Sequence, residues 1–190
     1  MSEGGARWRA RGFRTQGRPV VTGHVIHLNT TIDASPETIW GVLTDLPHTA
    51  EILSSVKSAE LITDGEYDVG TTWREERNFF GHHGEEELHV IESEPPSRTL
   101  HETRLRHDRI RTAYLIERTA DGTASRLLIT ATMDVSGRTK SELMRWNVLG
   151  RHSFESTRRM LIRDLEDIRI EAEKREGRPQ EADKGKHRAS

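Results

Sequence analysis

The sequence predicts an α+β domain in which a curved antiparallel sheet grips one long C-terminal helix. Three observations carry that reading. An alternating run ends directly in a capped amphipathic segment, with Ile26, Leu28, Thr30 and Ile32 on one face and Ser35-Pro36 immediately after. From Val56 to about Val135, period-two runs follow one another across short turns. The last long segment then changes to a 3.6-residue apolar period and keeps it to about Glu173.

The first strand is expected over His24 to Asp33. Ser35 suits an N-cap, Pro36 the first helical position, and Ile39, Trp40, Val42, Leu43 and Leu46 form the apolar stripe of a helix that Pro47 stops. Ile52 and Leu53 call for one more short helical turn. Six strands follow: Val56 to Ile62, Thr71 to Phe80, Glu85 to Glu92, Thr99 to Arg106, Ile110 to Arg118 and Arg126 to Val135. Gly81-His82-His83-Gly84 is the expected hairpin turn between the second and third of these. Short connections between consecutive strands favour an antiparallel meander. The closing helix begins near Lys140 to Glu142, and Gly150 marks the point where a kink or a break is expected.

Length and composition bound the rest. The 190 residues suffice for one domain with a real core. Residues 1–22, with five arginines among glycines, and residues 174–190, mixed in sign, carry no sustained apolar period and are expected to be tails around a domain at 23–173. A formal charge of -2 gives no global drive toward nucleic acid or anionic lipid, so neither is the expected partner. The absence of cysteine removes disulfides, thiolate zinc sites and cysteine nucleophiles. No apolar run approaches the ~18 residues of a membrane span, and a cytoplasmic protein is expected. His82 and His83 fall in the expected turn, His24 and His27 point to opposite strand faces, and no His-x-x-x-His pair sits on a helix, so no metal or other cofactor is expected. Gly-x-Ser-x-Gly, Walker and dinucleotide signatures are absent as well.

These elements carry a resemblance. Ile32-Asp33-Ala34-Ser35-Pro36-Glu37-Thr38-Ile39-Trp40 through Thr44-Asp45, then Val69-Gly70-Thr71-Thr72-Trp73, then Glu94-Pro95-Pro96-Ser97-Arg98-Thr99-Leu100 and the terminal helix resemble the START-like, or Bet v 1-like, helix-grip superfamily. The similarity is greatest to its polyketide cyclase/dehydrase and lipid-transport branch and spans roughly residues 24–172. It implies a pocket under the long helix for a hydrophobic or aromatic small molecule. It transfers no catalytic residue, because these motifs mark the fold.

Strand parity predicts the pocket lining. If Trp73 and Phe79 point inward, Glu75 and Arg77 do too; Leu88 and Val90 take Glu86 and Glu92 with them; Leu100 takes Glu102 and Arg104; Thr112, Tyr114 and Ile116 follow. Trp146 and Phe154 come from the helix. A carboxylate or guanidinium placed there must pair or meet ligand, because an isolated buried charge costs several kcal/mol. Tyr114, Glu102 and Arg104 are the candidates for chemistry, with Tyr114 donating and a glutamate of raised pKa exchanging protons. The opposite register puts Arg74, Glu76, Glu87, His89 and His101 in their places. Three functions are compatible: a binder of a hydrophobic metabolite, a cyclase, aromatase or dehydratase in the same pocket, and a protein-interaction module of the Hsp90-activator kind.

Overall fold

A computed structural model describes residues 25–79, 82–105 and 108–177; the side chains of 78–79, 82–83, 105, 140 and 143–153 lie outside that description. Both expected tails therefore fall almost wholly outside it. Strand β1 (Val25–Ile32) leads into α1 (Pro36–Leu43), a 3₁₀ turn (Leu46–His48) and a one-turn helix α2 (Thr49–Ile52). Strands β2 (Val56–Leu61), β3 (Thr72–Phe79), β4 (His82–Glu94), β5 (Arg98–Leu105), β6 (Asp108–Arg118) and β7 (Ser125–Asp134) follow, and α3 (Lys140–Glu176) ends the described chain.

All pairings are antiparallel, in the order β1-β7-β6-β5-β4-β3-β2. Strands β1 and β2 are consecutive in sequence yet occupy opposite edges, so α1 and α2 must cross the sheet between them. The expected cap is present: Ser35 Oγ accepts the amide of Thr38 at 3.3 Å, with Pro36 at the first helical position. Helix α1 ends at Leu43, before Pro47, because the Thr44 hydroxyl donates to the Trp40 carbonyl and the proline belongs to the 3₁₀ turn. Strand β4 begins at His82, with His83 opposite Asn78, so these histidines belong to the ladder and not to the expected turn.

Helix α3 is continuous over 37 residues, with no break at Gly150. It starts with a capping box: Thr139 accepts from the Glu142 amide, and the Glu142 carboxylate accepts from the Thr139 amide. Its C-terminal half is tied to the crossing segment. Asp167 accepts from Ser54 N and Oγ at 2.8 and 2.7 Å, Arg175 pairs with Asp45 at 2.8 Å, and Glu176 accepts from the Ser35 and Thr38 hydroxyls.

The apolar core is divided, and the division creates the site. One body joins β1, β7, α1 and α3 through Ile32, Ile39, Leu127, Ile129, Leu165 and Ile168. A neighbouring group around Ile26, Ile110, Met133 and Leu161 extends it toward the start of α3. A separate small cluster, Leu46, Trp73 and Val90, lies on the β3–β4 side. These apolar masses touch at their margin, where Trp40 packs edge-on to Tyr67 with centroids 5.8 Å apart, and leave a hollow between sheet and helix.

Candidate functional site: a cavity with a polar floor

The hollow measures about 810 Å³, counting the open space at its mouth. Val42, Leu46 and Leu53 line it from the crossing segment, Leu161 and Ile168 from α3, and Leu88 and Ile110 from the sheet. The charged and hydrogen-bonding part of its wall holds Glu75, Arg77, Glu86, His101 and Tyr114.

These polar groups form a built arrangement. Strand alternation puts Trp73, Glu75 and Arg77 on one face of β3. Trp73 Nε1 donates to Glu75 Oε1 at 2.7 Å, while Glu75 Oε2 lies 2.7 Å from Arg77 Nε, an ion contact out of line for a hydrogen bond. Arg77 also donates to Asp164 of α3 at 3.0 Å, and Asp164 accepts from the Ser55 hydroxyl. A guanidinium buried between two carboxyls, and so held above its ordinary range, pins the helix to the sheet. Burial pushes the Asp164 carboxyl upward, against the opposing pull of Arg77 and Ser55.

Glu86 stands apart. It sits directly opposite Glu75 in the β3–β4 ladder and is 6% exposed, and its Oε1 is buried without a hydrogen-bond partner. Burial raises its pKa to about 7; Arg77 opposes that rise and Glu75 adds to it. At neutral pH this carboxyl is protonated in a large fraction of molecules and can both give and accept a proton.

His101, on β5, packs edge-on to Trp73 with centroids 4.9 Å apart and lies 5.3 Å from the Tyr114 ring. Its Nε2 is 2.6 Å from Tyr67 Oη, which is 2.6 Å from Thr99 Oγ1, and Thr99 donates in turn to the Glu92 carbonyl. All three contacts are satisfied only if His101 Nε2–H donates to Tyr67 and Tyr67 donates to Thr99. The neutral ring then keeps an acceptor at Nδ1, for which the described residues supply no donor. Burial, with Arg77 adding to it, lowers the pKa of His101 to about 3, so the ring stays neutral. The Tyr114 hydroxyl likewise makes no hydrogen bond among the described residues, and burial raises its pKa. No three His, Cys, Asp or Glu side chains gather as metal ligands among the described residues.

The sequence matches the family described as polyketide cyclase/dehydrase and lipid transport over residues 23–161. The chain belongs to that family. No curated protein matches it in sequence. Among solved structures it is similar to the Zhui aromatase/cyclase of Streptomyces sp. R1128, at 17% identity and TM-score 0.62, covering 80% of this chain and 95% of that one. A START superfamily protein of Mycobacterium smegmatis is similar at 14% identity and TM-score 0.55, covering 81% and 97%. The di-domain ARO/CYC BexL of the BE-7585A biosynthetic pathway is similar at 16% and 0.58, covering 83% of this chain and 51% of that one. Identities this low establish the shared helix-grip fold, and within it the cavity must be read from this chain's own residues.

In this polyketide cyclase/dehydrase-family chain the cavity brings together Trp73, Glu75, Arg77, Leu88, Thr112 and Tyr114 of the expected lining. Val90 is buried just behind it, against Trp73 and Leu46. Phe154 packs against the core around Ile26 and Met133, outside the cavity wall. The Trp146 side chain lies outside the described residues, as does that of Phe79.

Strand β5 is turned over relative to the expectation. Thr99, His101 and Thr103 face inward, and Leu100, Glu102 and Arg104 face outward. Leu100 suggested the opposite parity because it is apolar, but here the inward set is the polar one and serves the cavity. Glu102 and Arg104 therefore leave the list of candidates for chemistry at this cavity. On β4 an extra residue between Val90 and Glu92 breaks the alternation and turns Glu92 away, beside Leu100.

Sequence reasoning missed Asp164 and Tyr67 as members of the site, and placed His101 there only in the opposite register, which β5 adopts. Asp164 had a readable signal: it is an acid inside the stripe Leu161, Leu165, Ile168, where helical spacing calls for an apolar residue. Tyr67 comes from the β2–β3 connection, where no periodicity operates.

Proposed function

We propose that this protein binds a hydrophobic or aromatic small molecule, lipid- or polyketide-like, between the sheet and α3. The observation that supports it best is a half-apolar hollow ending in Glu86, whose buried carboxyl oxygen lacks a partner. A buried polar atom without a partner costs about 1–3 kcal/mol, a penalty that a ligand group would offset. Family membership and the aromatase/cyclase likeness support the same reading. The test is fluorescence of N-phenyl-1-naphthylamine, an uncharged probe, with wild type and with Thr112→Phe, which fills the hollow. Saturable enhancement in wild type and its loss in a folded Thr112→Phe is the expected result. Equal enhancement in both places the probe elsewhere and contradicts the reading.

A second reading, catalysis of the cyclase, aromatase or dehydratase type, is favoured by one observation. Glu86, balanced near neutrality, shares a cavity with the Tyr114 hydroxyl, which makes no hydrogen bond among the described residues. Glu86 would take a proton from an activated methylene while Tyr114 hydrogen-bonds the carbonyl oxygen where charge develops. Incubation with a poly-β-keto thioester, followed by chromatography, tests it: cyclised product from wild type and none above background from Glu86→Gln supports it. Equal product from both removes Glu86 from the chemistry. An open groove, or a filled core with an exposed apolar patch, would favour the interaction-module reading, which gains no support from this hollow.

A further inference from the structure

The charges around the cavity restrict the chemistry of whatever enters it; this step rests on the small-molecule reading above. Arg77 is the only cationic side chain in the wall among the described residues, and it is already shared by Glu75 at 2.7 Å and Asp164 at 3.0 Å. It is 10% exposed, and its two partners are 4% and 3% exposed, so water screens none of them well. A ligand carboxylate or phosphate reaching this floor would meet no free cation. It would instead face Glu75 and Glu86 in the wall, beside an Arg77 already balanced by Glu75 and by Asp164 behind it. Its desolvation would go uncompensated, which is the condition under which a buried charge is most unfavourable.

The groups left free point the same way. Glu86 presents a carboxyl with an orphan oxygen, His101 an acceptor nitrogen, and Tyr114 a hydroxyl. Each suits an uncharged oxygen function. The remaining titratable group near this end, Tyr67, is already engaged with His101 and Thr99. Helices α1 and α2 contribute only apolar side chains and Thr49 to the wall.

We propose that the cavity selects an uncharged aromatic or polycyclic ligand whose keto oxygen, an acceptor without a proton of its own, accepts a hydrogen bond from the Glu86 carboxyl, and rejects ligands carrying a carboxylate at that end. The donor is lost when Glu86 ionises, so affinity for such a ligand falls as the pH rises through neutrality. Arg77 stays charged throughout, His101 stays neutral, and Tyr114 keeps its proton, so none of them reverses that direction.

Three probes on one skeleton test this by isothermal titration: 2-acetylnaphthalene, whose keto oxygen can only accept, 2-naphthoate and 2-(aminomethyl)naphthalene. Wild type should bind 2-acetylnaphthalene at least about tenfold more tightly than 2-naphthoate at neutral pH. Its affinity for 2-acetylnaphthalene should fall about fivefold between roughly pH 6 and pH 8, the loss of one hydrogen bond. Glu86→Gln, which keeps a donor at every pH, should bind 2-acetylnaphthalene without that pH dependence. Tighter binding of 2-naphthoate, or a flat wild-type profile, overturns the inference while leaving a small-molecule cavity in place. Preference for the amine that disappears in Glu86→Gln overturns it too, by making Glu86 a counter-ion. Binding of none of the three overturns the cavity reading together with the inference.

Discussion

The two faces of the sheet carry the same residue types under opposite conditions. On the concave face one arginine, Arg77, is buried between two acids, Glu75 and Asp164, with Glu86 unpaired nearby. On the convex face one acid, Glu102, gathers three arginines: Arg111 at 2.9 Å, Arg104 at 3.3 Å and Arg109 at 3.7 Å. Those arginines are 41–71% exposed, although Glu102 beneath them is only 8% exposed, whereas in the inner cluster the cation as well as the acids is 10% exposed or less. Burial pushes the Glu102 carboxyl upward, yet hydrogen bonds from Arg111 and Arg104 prevail and hold it below its ordinary range. Within the cavity, burial prevails at Glu86. Charge type alone therefore says little about function; the number of partners and the access of water decide it.

The comparison breaks most readily at Arg77. Arg77→Ala leaves two buried carboxyls without their cation and should cost about 3–5 kcal/mol of stability, read from urea unfolding. A loss below about 1 kcal/mol would mean that the inner cluster is as well solvated as the outer one.

Glu86→Gln should do the reverse above neutrality. The native carboxyl keeps its proton to about pH 7, whereas the unfolded chain releases it near its ordinary value of 4.5. Between those values the native state holds more protons, so stability falls as pH rises through the window and stays lowered above it. The glutamine variant should be more stable than wild type at about pH 8 by up to about 3 kcal/mol, with the difference vanishing near about pH 4. A variant that is less stable at the higher pH would contradict the orphan assignment.

Trp73→Phe, which removes the donor to Glu75 and some buried volume, should cost about 2 kcal/mol. On the outer face Glu102→Gln should cost about 1 kcal/mol or less, and added salt should shrink that difference. The same salt series should leave the Arg77→Ala difference nearly unchanged. Equal sensitivity at both sites would erase the distinction between the faces.

How much of this was legible before the structure depended on which force placed each residue. The capped turn at Ser35-Pro36 and the alternation of Leu127, Ile129, Ala131 and Met133 are local or one-sided hydrophobic signals, and the fold follows them. Trp73, Glu75 and Arg77 were placed on one face because Trp73 anchors that parity. Strand β5 was misread because its one apolar anchor, Leu100, faces away while Thr99, His101 and Thr103 serve the cavity. The bulge after Val90 was invisible for a related reason, since nothing in Ile91-Glu92-Ser93 announces an extra residue. Asp164 acts across more than eighty residues on Arg77, a pairing that no local period encodes.

Native mass spectrometry of the freshly purified protein, under conditions that preserve noncovalent contacts, tests the central claim most directly. The account predicts a population heavier than the bare chain by one small, uncharged, oxygenated molecule, released on activation and absent from Thr112→Phe. The bare mass alone, persisting after exposure to a mixture of aromatic and lipid-like compounds that includes 2-acetylnaphthalene, would contradict it.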